Sequence, residues 1–324
     1  MIMNKKKNPV FVIGHRRSGT TMLVRLIRKY FEINFGPETQ FIVRYYKKLS
    51  KYGDLEKEKN FYRLAKEISE ERFFERAKRN FDFTFNLDKI MNPDIERTYS
   101  SLLSNMFEQF SNQQEMMRWG DKTPAYHLDL PIIDKLFPEA QYVHILRDGR
   151  DVALSQRYTH FGPKNVYCAA KEWVTAVEKI SDFSKTLERT KFIAFKYEDI
   201  LTDPEKIMIQ LIQFLSIDDK DGKVTKQIKR NIHDDVRKGN FFKWKDQFSK
   251  KEMLIFEKVA HSVLVENDYP VQYDSPGVIG KPEKLFWEID NFIKRNTRMD
   301  TLKDNVYKAQ LRTKQLINNF TRKD

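Results

Sequence analysis

Val10-Phe11-Val12-Ile13-Gly14-His15-Arg16-Arg17-Ser18-Gly19-Thr20-Thr21 is the stretch on which the fold turns. Its first four residues form a compact β-branched and aromatic run ending at a glycine, the composition of a strand. From Thr20 to Tyr30 the period changes, with Met22, Leu23, Leu26 and Ile27 at helical spacing. A strand therefore passes through a glycine-bearing loop into the amino end of a helix. Glycines there let the backbone bend so that successive N–H groups face one anion, and the helix dipole favours negative charge at the same point. Arg17, Ser18, Thr20 and Thr21 add side-chain donors, so the stretch is built as a phosphate loop. The ATP-binding form of such a loop requires Gly-Lys-Ser/Thr, and Thr20 occupies the lysine's place, which argues against ATP chemistry with Mg²⁺.

Two further units repeat the pattern. Gln141 to Leu146 alternates and ends in Arg147, after which Asp148-Gly149-Arg150 turns into a helix from Asp151 to Tyr158. Phe192 to Phe195 reads as a third strand, followed by Tyr197-Glu198-Asp199 and a helix opening near Asp203-Pro204, where proline suits the first turn. Strands alternating with helices predict an α/β fold, a P-loop-like parallel sheet flanked by helices. Between the first two of these strands, residues 41–117 form an insert dense in charge and aromatics, with helical periodicity in Phe61–Phe81 and Ile95–Phe110. After Pro282 the chain reads as amphipathic helix, through Leu285, Phe286, Ile289, Phe292 and Ile293 and on to Leu302, Val306, Leu316, Ile317 and Phe320. The expected organisation is one domain over residues 1–280 and a helical extension over 281–324. That extension is expected to pack on its own domain through Phe286, Trp287 and Phe292; pairing with a second subunit and contact with an anionic membrane are the other uses of such a helix.

The 324 residues suffice for a sizeable core, and a formal charge of +13 favours anionic ligands or surfaces without choosing among them. Nucleic acid is one candidate partner on charge, but none is expected. A single cysteine, Cys168, excludes an intrachain disulfide and a Cys-rich metal site and fits a reducing compartment. The apolar run Pro9–Ile13 is too short for a signal peptide or a membrane span, and no other stretch reaches the apolar length needed to cross a bilayer, so a soluble, cytoplasmic protein is expected.

Two more motifs bear on chemistry. In Leu146-Arg147-Asp148-Gly149-Arg150-Asp151-Val152-Ala153-Leu154-Ser155, again at a strand-to-helix junction, Arg147 and Ser155 can converge on one anion if the loop arches back; an ion-pair cluster is the other use of such a turn. In Trp119-Gly120-Asp121-Lys122-Thr123-Pro124, a lysine fixed between a turn and a proline is a good donor to an oxygen that gains charge as a leaving group departs.

Taken in order, these motifs resemble those of the sulfotransferases that use 3′-phosphoadenosine 5′-phosphosulfate (PAPS), and are nearest to the tyrosylprotein and the carbohydrate (heparan sulfate-like) enzymes. The resemblance runs from Val10 to Tyr269, outside the insert and the tail. It implies transfer of a sulfonate from PAPS to a hydroxyl or amine of a carbohydrate, protein, lipid or metabolite, leaving adenosine 3′,5′-bisphosphate, with no metal required. It further implies that Arg17, Ser18, Gly19, Thr20 and Thr21 hold the 5′-phosphate, with Arg17 also near the sulfonate, that Arg147 and Ser155 grip the 3′-phosphate, and that Lys122 lies beside the leaving sulfonate. Tyr197 would approach the nucleotide, and Arg237-Lys238-Gly239 with Lys243 would close over the 3′-phosphate and adenine. Trp244 fits a nucleotide contact and a core position equally. The insert would shape the acceptor site. For the general base, Gly36-Pro37-Glu38-Thr39 is similar to the Gly-Glu-Glu-Thr of tyrosylprotein sulfotransferases and nominates Glu38, with Pro37 in place of the first glutamate. Asp121 and His127 are the alternatives, and His15 is expected to line the pocket. The rival functions are a nucleotide or small-molecule kinase on the same scaffold and a non-catalytic polyanion-binding protein.

Overall fold

Strand β1 (Val10–Ile13) has no exposed residue, as a strand must when helices cover both faces of a parallel sheet. The computed structural model describes residues 8–297 except 117, 158, 160 and 238. With β2 (Ile33–Phe35), β3 (Arg118–Asp121), β4 (Gln141–Leu146) and β5 (Phe192–Lys196), β1 forms a five-stranded sheet of order β2-β3-β1-β4-β5. Every pair is parallel, and Val10 is level with both Gly120 and Gln141. The α/β expectation is met, with two strands more than the sequence suggested. β2 has only three residues, and β3, Arg-Trp-Gly-Asp, has neither alternation nor a β-branched run. The stretch at Trp119–Asp121, expected to be a turn, is a strand because its surroundings accept it. Gly120 sits where any Cβ would lie 2.6 Å from the Val10 carbonyl oxygen. The Arg118 guanidinium donates to the carbonyls of Asn8 and Leu215 and to Gln141 Oε1.

The helices follow in chain order. α1 (Thr20–Phe31) turns Leu23, Leu26, Ile27, Tyr30 and Phe31 inward. The insert supplies α2 (Ile42–Tyr46), α3 (Glu58–Ser69), α4 (Arg72–Phe81) and α5 (Tyr99–Gln113). Its buried aromatics, among them Phe41, Phe73, Phe74 and Phe110, share one core with Phe11 and Trp119 of the sheet. Trp119 stacks on Phe107 of α5 at 4.6 Å and meets Phe11 edge-on at 6.0 Å. The remaining helices are α6 (Leu130–Leu136), α7 (Gly149–Arg157), α8 (Val166–Ser184), α9 (Tyr197–Thr202), α10 (Pro204–Phe214), α11 (Lys223–Asp235), α12 (Trp244–Gln247), α13 (Lys250–Glu266) and α14 (Lys281–Thr297). No helix among the described residues is long and apolar enough to cross a membrane.

The chain divides into two compact units. The first comprises the residues up to Arg147 together with Ala176–Asn240 and holds the whole sheet. The second comprises Asp148–Thr175 and the residues from Phe241 on. Within the second, α14 is held by hydrogen bonds from Asn165 Nδ2 to the Trp287 carbonyl (2.7 Å) and to Asp290 (2.9 Å), and from the Lys164 N–H to Asn291 (2.7 Å). Of the three aromatics expected to anchor this helix, Trp287 alone packs against Tyr167, Cys168, Ile255 and Ile279, while Phe286 and Phe292 are exposed. The extension from residue 298 on lies outside the described residues.

Candidate active site

In an open parallel sheet, the crevice at the carboxyl ends of the strands is where side chains and helix amino ends converge. Each strand here delivers a candidate residue to that edge. β1 runs into the loop Gly14–Thr21, β2 is followed by Glu38, β3 by Lys122, β4 by Arg147 and β5 by Tyr197.

The loop is shaped as an anion cradle. Gly19 adopts φ 97°, and a Cβ there would enter the Tyr197 ring; a Cβ on Gly14 would lie 2.6 Å from the Ile145 carbonyl oxygen. Arg17 itself takes φ 72°, a left-handed conformation that costs a non-glycine residue about 1 kcal/mol or more. The Ser18 N–H closes the turn on the His15 carbonyl at 3.1 Å. At the amino end of α1 no side chain caps the backbone and no acidic residue stands in the first turn, whereas Arg28 and Lys29 occupy the last. The helix amino end thus keeps its attraction for an anion. Ser18 and Thr20 are buried, and Arg17 and Thr21 are exposed. Burial, with repulsion from His127, lowers His15 to about 3, so its imidazole is neutral at ordinary pH.

Arg147, at the end of β4, ties the loop after β1 to Asn240 and to Tyr197, which follows β5. Its guanidinium donates to the Arg17 carbonyl (3.1 Å) and the Asn240 carbonyl (3.0 Å) and lies 4.4 Å from the centre of the Tyr197 ring. Asn240 Nδ2 in turn donates to the Tyr197 hydroxyl at 2.9 Å. Arg237 and Gly239, just before Asn240, are exposed, and Gly239 takes φ 76°; Lys238 lies outside the described residues. Ser155 and Lys243 belong to the second unit, Ser155 half-buried in α7 and Lys243 exposed at the start of α12.

Glu38 and Lys122 are brought together. Lys122 Nζ donates to Glu38 Oε1 at 2.6 Å, with the lysine side chain 14% exposed and the carboxylate 32%. The residues beside them form a clasp that the sequence did not announce. The Thr39 N–H donates to Thr123 Oγ1 at 3.1 Å, Thr39 Oγ1 donates to Asp121 Oδ2 at 3.0 Å, and the Thr39 and Tyr126 hydroxyls are hydrogen-bonded. Asp121 is fully buried in this clasp. Burial pushes its carboxyl up to about 7, against the pull of the Thr39 and Thr123 hydroxyls and of Lys122. The signal was present in the shared threonines of Glu38-Thr39 and Lys122-Thr123, but only pairing across the fold gives it meaning. His127, the other alternative base, has Nδ1 2.6 Å from the Pro124 carbonyl, so that nitrogen carries the proton and Nε2 is the acceptor. Burial lowers its pKa.

The rest of the Arg-Asp-Gly-Arg-Asp motif is structural. Arg150 is wholly buried and pairs with Asp148 (2.8 Å) and Glu257 (3.1 Å), so the ion cluster is interior. Asp151 accepts from the N–H groups of Phe242 (2.6 Å) and Trp244 (3.1 Å), fixing the chain before α12. Trp244 is 1% exposed and packs with Leu154 and Met253, with the Arg150 guanidinium 3.7 Å from its ring centre, which makes it a core residue.

Comparison with known proteins agrees with this architecture. The model of the sulfotransferase family matches residues 9–221. Among similar proteins, protein-tyrosine sulfotransferase A of Caenorhabditis elegans is 23% identical over 224 residues, covering 67% of this chain and 52% of that protein. The omega-hydroxy-beta-dihydromenaquinone-9 sulfotransferase of Mycobacterium tuberculosis (strain CDC 1551 / Oshkosh) is 20% identical over 248 residues, covering 65% of this chain and 63% of that protein. The chain thus spans between about half and just under two thirds of the length of these relatives. The sulfotransferase domain of the Synechococcus PCC 7002 olefin synthase shares the fold, with a TM-score of 0.50 at 20% identity over 80% of this chain and 96% of that one. The family match takes in all five strands and the residues that follow each of them, well over half of the sequence, and the chain belongs to the sulfotransferase family.

Proposed function

We propose that this chain is a PAPS-dependent sulfotransferase in which Glu38 is the general base and Lys122 and Arg17 meet the charge that develops on the leaving group. The observation that carries this reading is the 2.6 Å Lys122–Glu38 pair, set at the carboxyl end of the strand next to the phosphate loop. The residues fit the donor on the structure's own terms. The uncapped amino end of α1, with Ser18, Gly19, Thr20 and Thr21, suits the 5′-phosphate, and Arg147, held against Tyr197, is a fixed cation for the 3′-phosphate. Arg237, Lys238 and Gly239 are assigned to the same nucleotide. PAPS supplies a sulfonate already activated by its link to a phosphate oxygen.

In the pair as it stands, Lys122 neutralises Glu38. A donor sulfonate attracts the ammonium and leaves the carboxylate able to accept a proton. Glu38 then takes the acceptor's proton as the new bond to sulfur forms. As the sulfur–oxygen bond to the 5′-phosphate breaks, its electron pair stays on that oxygen, where Lys122 and Arg17 stabilise it. A transferring sulfonate carries less negative charge than a phosphoryl group, so fixed cations can stand where kinases use a metal.

The relatives' names refer to a protein tyrosine and to an omega-hydroxy quinone derivative, which supports a hydroxyl acceptor; a carbohydrate hydroxyl belongs to the same chemistry. The deciding experiment incubates the protein with ³⁵S-labelled PAPS and cell extract and identifies the labelled product. Label transfer that vanishes in Glu38→Gln, while calorimetry shows the bisphosphate still bound, is the expected result. Mg²⁺-dependent binding of ATP with no label transfer would instead make the chain a kinase.

A further inference from the structure

Helix α14 is docked the wrong way round for an ordinary surface helix. Its inward side is largely polar: Asn291 and Asp290 bond to the 164–165 segment, and Trp287 is the apolar anchor, while Glu288 pairs with Lys171 at 2.7 Å on the exposed flank. Its outward side carries Leu285 (59% exposed), Phe286 (59%), Ile289 (50%), Phe292 (68%) and Ile293 (52%). At 100° per residue these five fall within one arc of the helix, and Lys281, Lys284 and Arg295 fall on a single flank of that arc. Five large apolar residues grouped on one exposed face mark a contact surface.

The charge around the face selects its occupant. Residues 298–324, which follow directly, contain seven Lys or Arg and three Asp or Glu, and the whole chain carries +13. A broad apolar face with cations along its flank is the pattern of a helix that lies in the plane of an anionic bilayer. A second copy of the chain is a poorer match. The five side chains present roughly 600 Å² on ordinary side-chain areas, less than the ~800 Å² per partner of a standard interface. Pairing two copies would also bring together surfaces of like charge. We infer that the outward face of α14 is a docking site for anionic phospholipid bilayers, its apolar residues entering the acyl boundary and Lys281, Lys284 and Arg295 facing the headgroups.

The test uses the full chain and sedimentation with vesicles of phosphatidylcholine alone or with 30% phosphatidylserine. Binding to the anionic vesicles and not to the neutral ones is expected, and binding that declines with added salt. Phe286→Glu/Phe292→Glu, at two exposed positions, should weaken binding at least about tenfold. Lys281→Glu/Lys284→Glu/Arg295→Glu should weaken it without touching the apolar face. Bisphosphate affinity should be unchanged in both variants, which separates this surface from the nucleotide site. Failure of the wild type to sediment with anionic vesicles would overturn the inference, as would undiminished binding by Phe286→Glu/Phe292→Glu. A dimer in sedimentation velocity that the same double variant dissociates would overturn it in favour of a second copy.

Discussion

At the scale of single residues, the Glu38–Lys122 pair and the clasp beside it make separable predictions. Glu38→Gln keeps shape but cannot take up a proton, so transfer should fall by about 10²-fold or more with bisphosphate affinity retained. Activity close to that of the wild type, together with an inactive His127→Ala, would move the base to His127, whose Nε2 is an available acceptor. Asp121 lends itself to a stability measurement. Its folded-state pKa is raised from 3.8 to about 7 by burial, so the stability it provides is complete below about 3.8 and declines as the pH rises toward 7. Asp121→Asn cannot ionise and escapes that decline. Its melting temperature relative to the wild type should therefore improve between about pH 5 and about pH 8. A difference that is the same at both values would mean that the buried carboxyl ionises as readily as an exposed one.

At the scale of elements, the β4–α7 junction divides its work among neighbouring residues. Arg147 turns toward the phosphate loop, while Arg150 is buried between Asp148 and Glu257. Arg147→Ala should weaken bisphosphate binding, measured by calorimetry, and leave the melting temperature little changed by comparison. Arg150→Ala strands two buried carboxylates and should cost about 3–5 kcal/mol in chemical denaturation. Reversed outcomes, a destabilised Arg147 variant and a harmless Arg150 variant, would invert the two assignments. The loop before α1 is equally specific. A Cβ at Gly19 meets the Tyr197 ring at a backbone angle that favours glycine, so Gly19→Ala should disturb the loop and the Tyr197–Arg147 stack together.

For the whole molecule, the expected signature is nucleotide binding governed by fixed cations. Arg17, Lys122 and Arg147 come from three different strand ends of one sheet, and none depends on a metal for its charge. Bisphosphate affinity should therefore persist in a chelator and weaken as salt screens the exposed part of the site. Loss of binding on chelation would require a metal at the phosphate loop and would undo the assignment of Lys122 and Arg17 as the groups that replace it. None of the residues assigned to the nucleotide lies on α14, so its partner can change without altering that signature.

The local code of this chain was legible where chemistry and period coincide. Val10–Ile13 followed by glycines and a run of hydroxyl and guanidinium donors is a phosphate loop in almost any surroundings, and the order of the motifs pointed to the family before any contact was known. The helical insert and the start of the terminal helix were likewise readable from apolar spacing. Tertiary structure decided the rest. β3 is a strand because it pairs beside β1, and β2 because it pairs beside β3, a non-local influence that residues such as Arg-Trp-Gly-Asp do not encode alone. Arg147 and Arg150, three positions apart, part company because one ends a strand and the other enters a helix against buried carboxylates. The outward turn of Phe286 and Phe292 is set by Asn165 and Lys164 far back in the chain, which hold the polar side of α14. Periodicity reveals that a helix has an apolar face; which way the face points is settled only by the contacts that hold the other side.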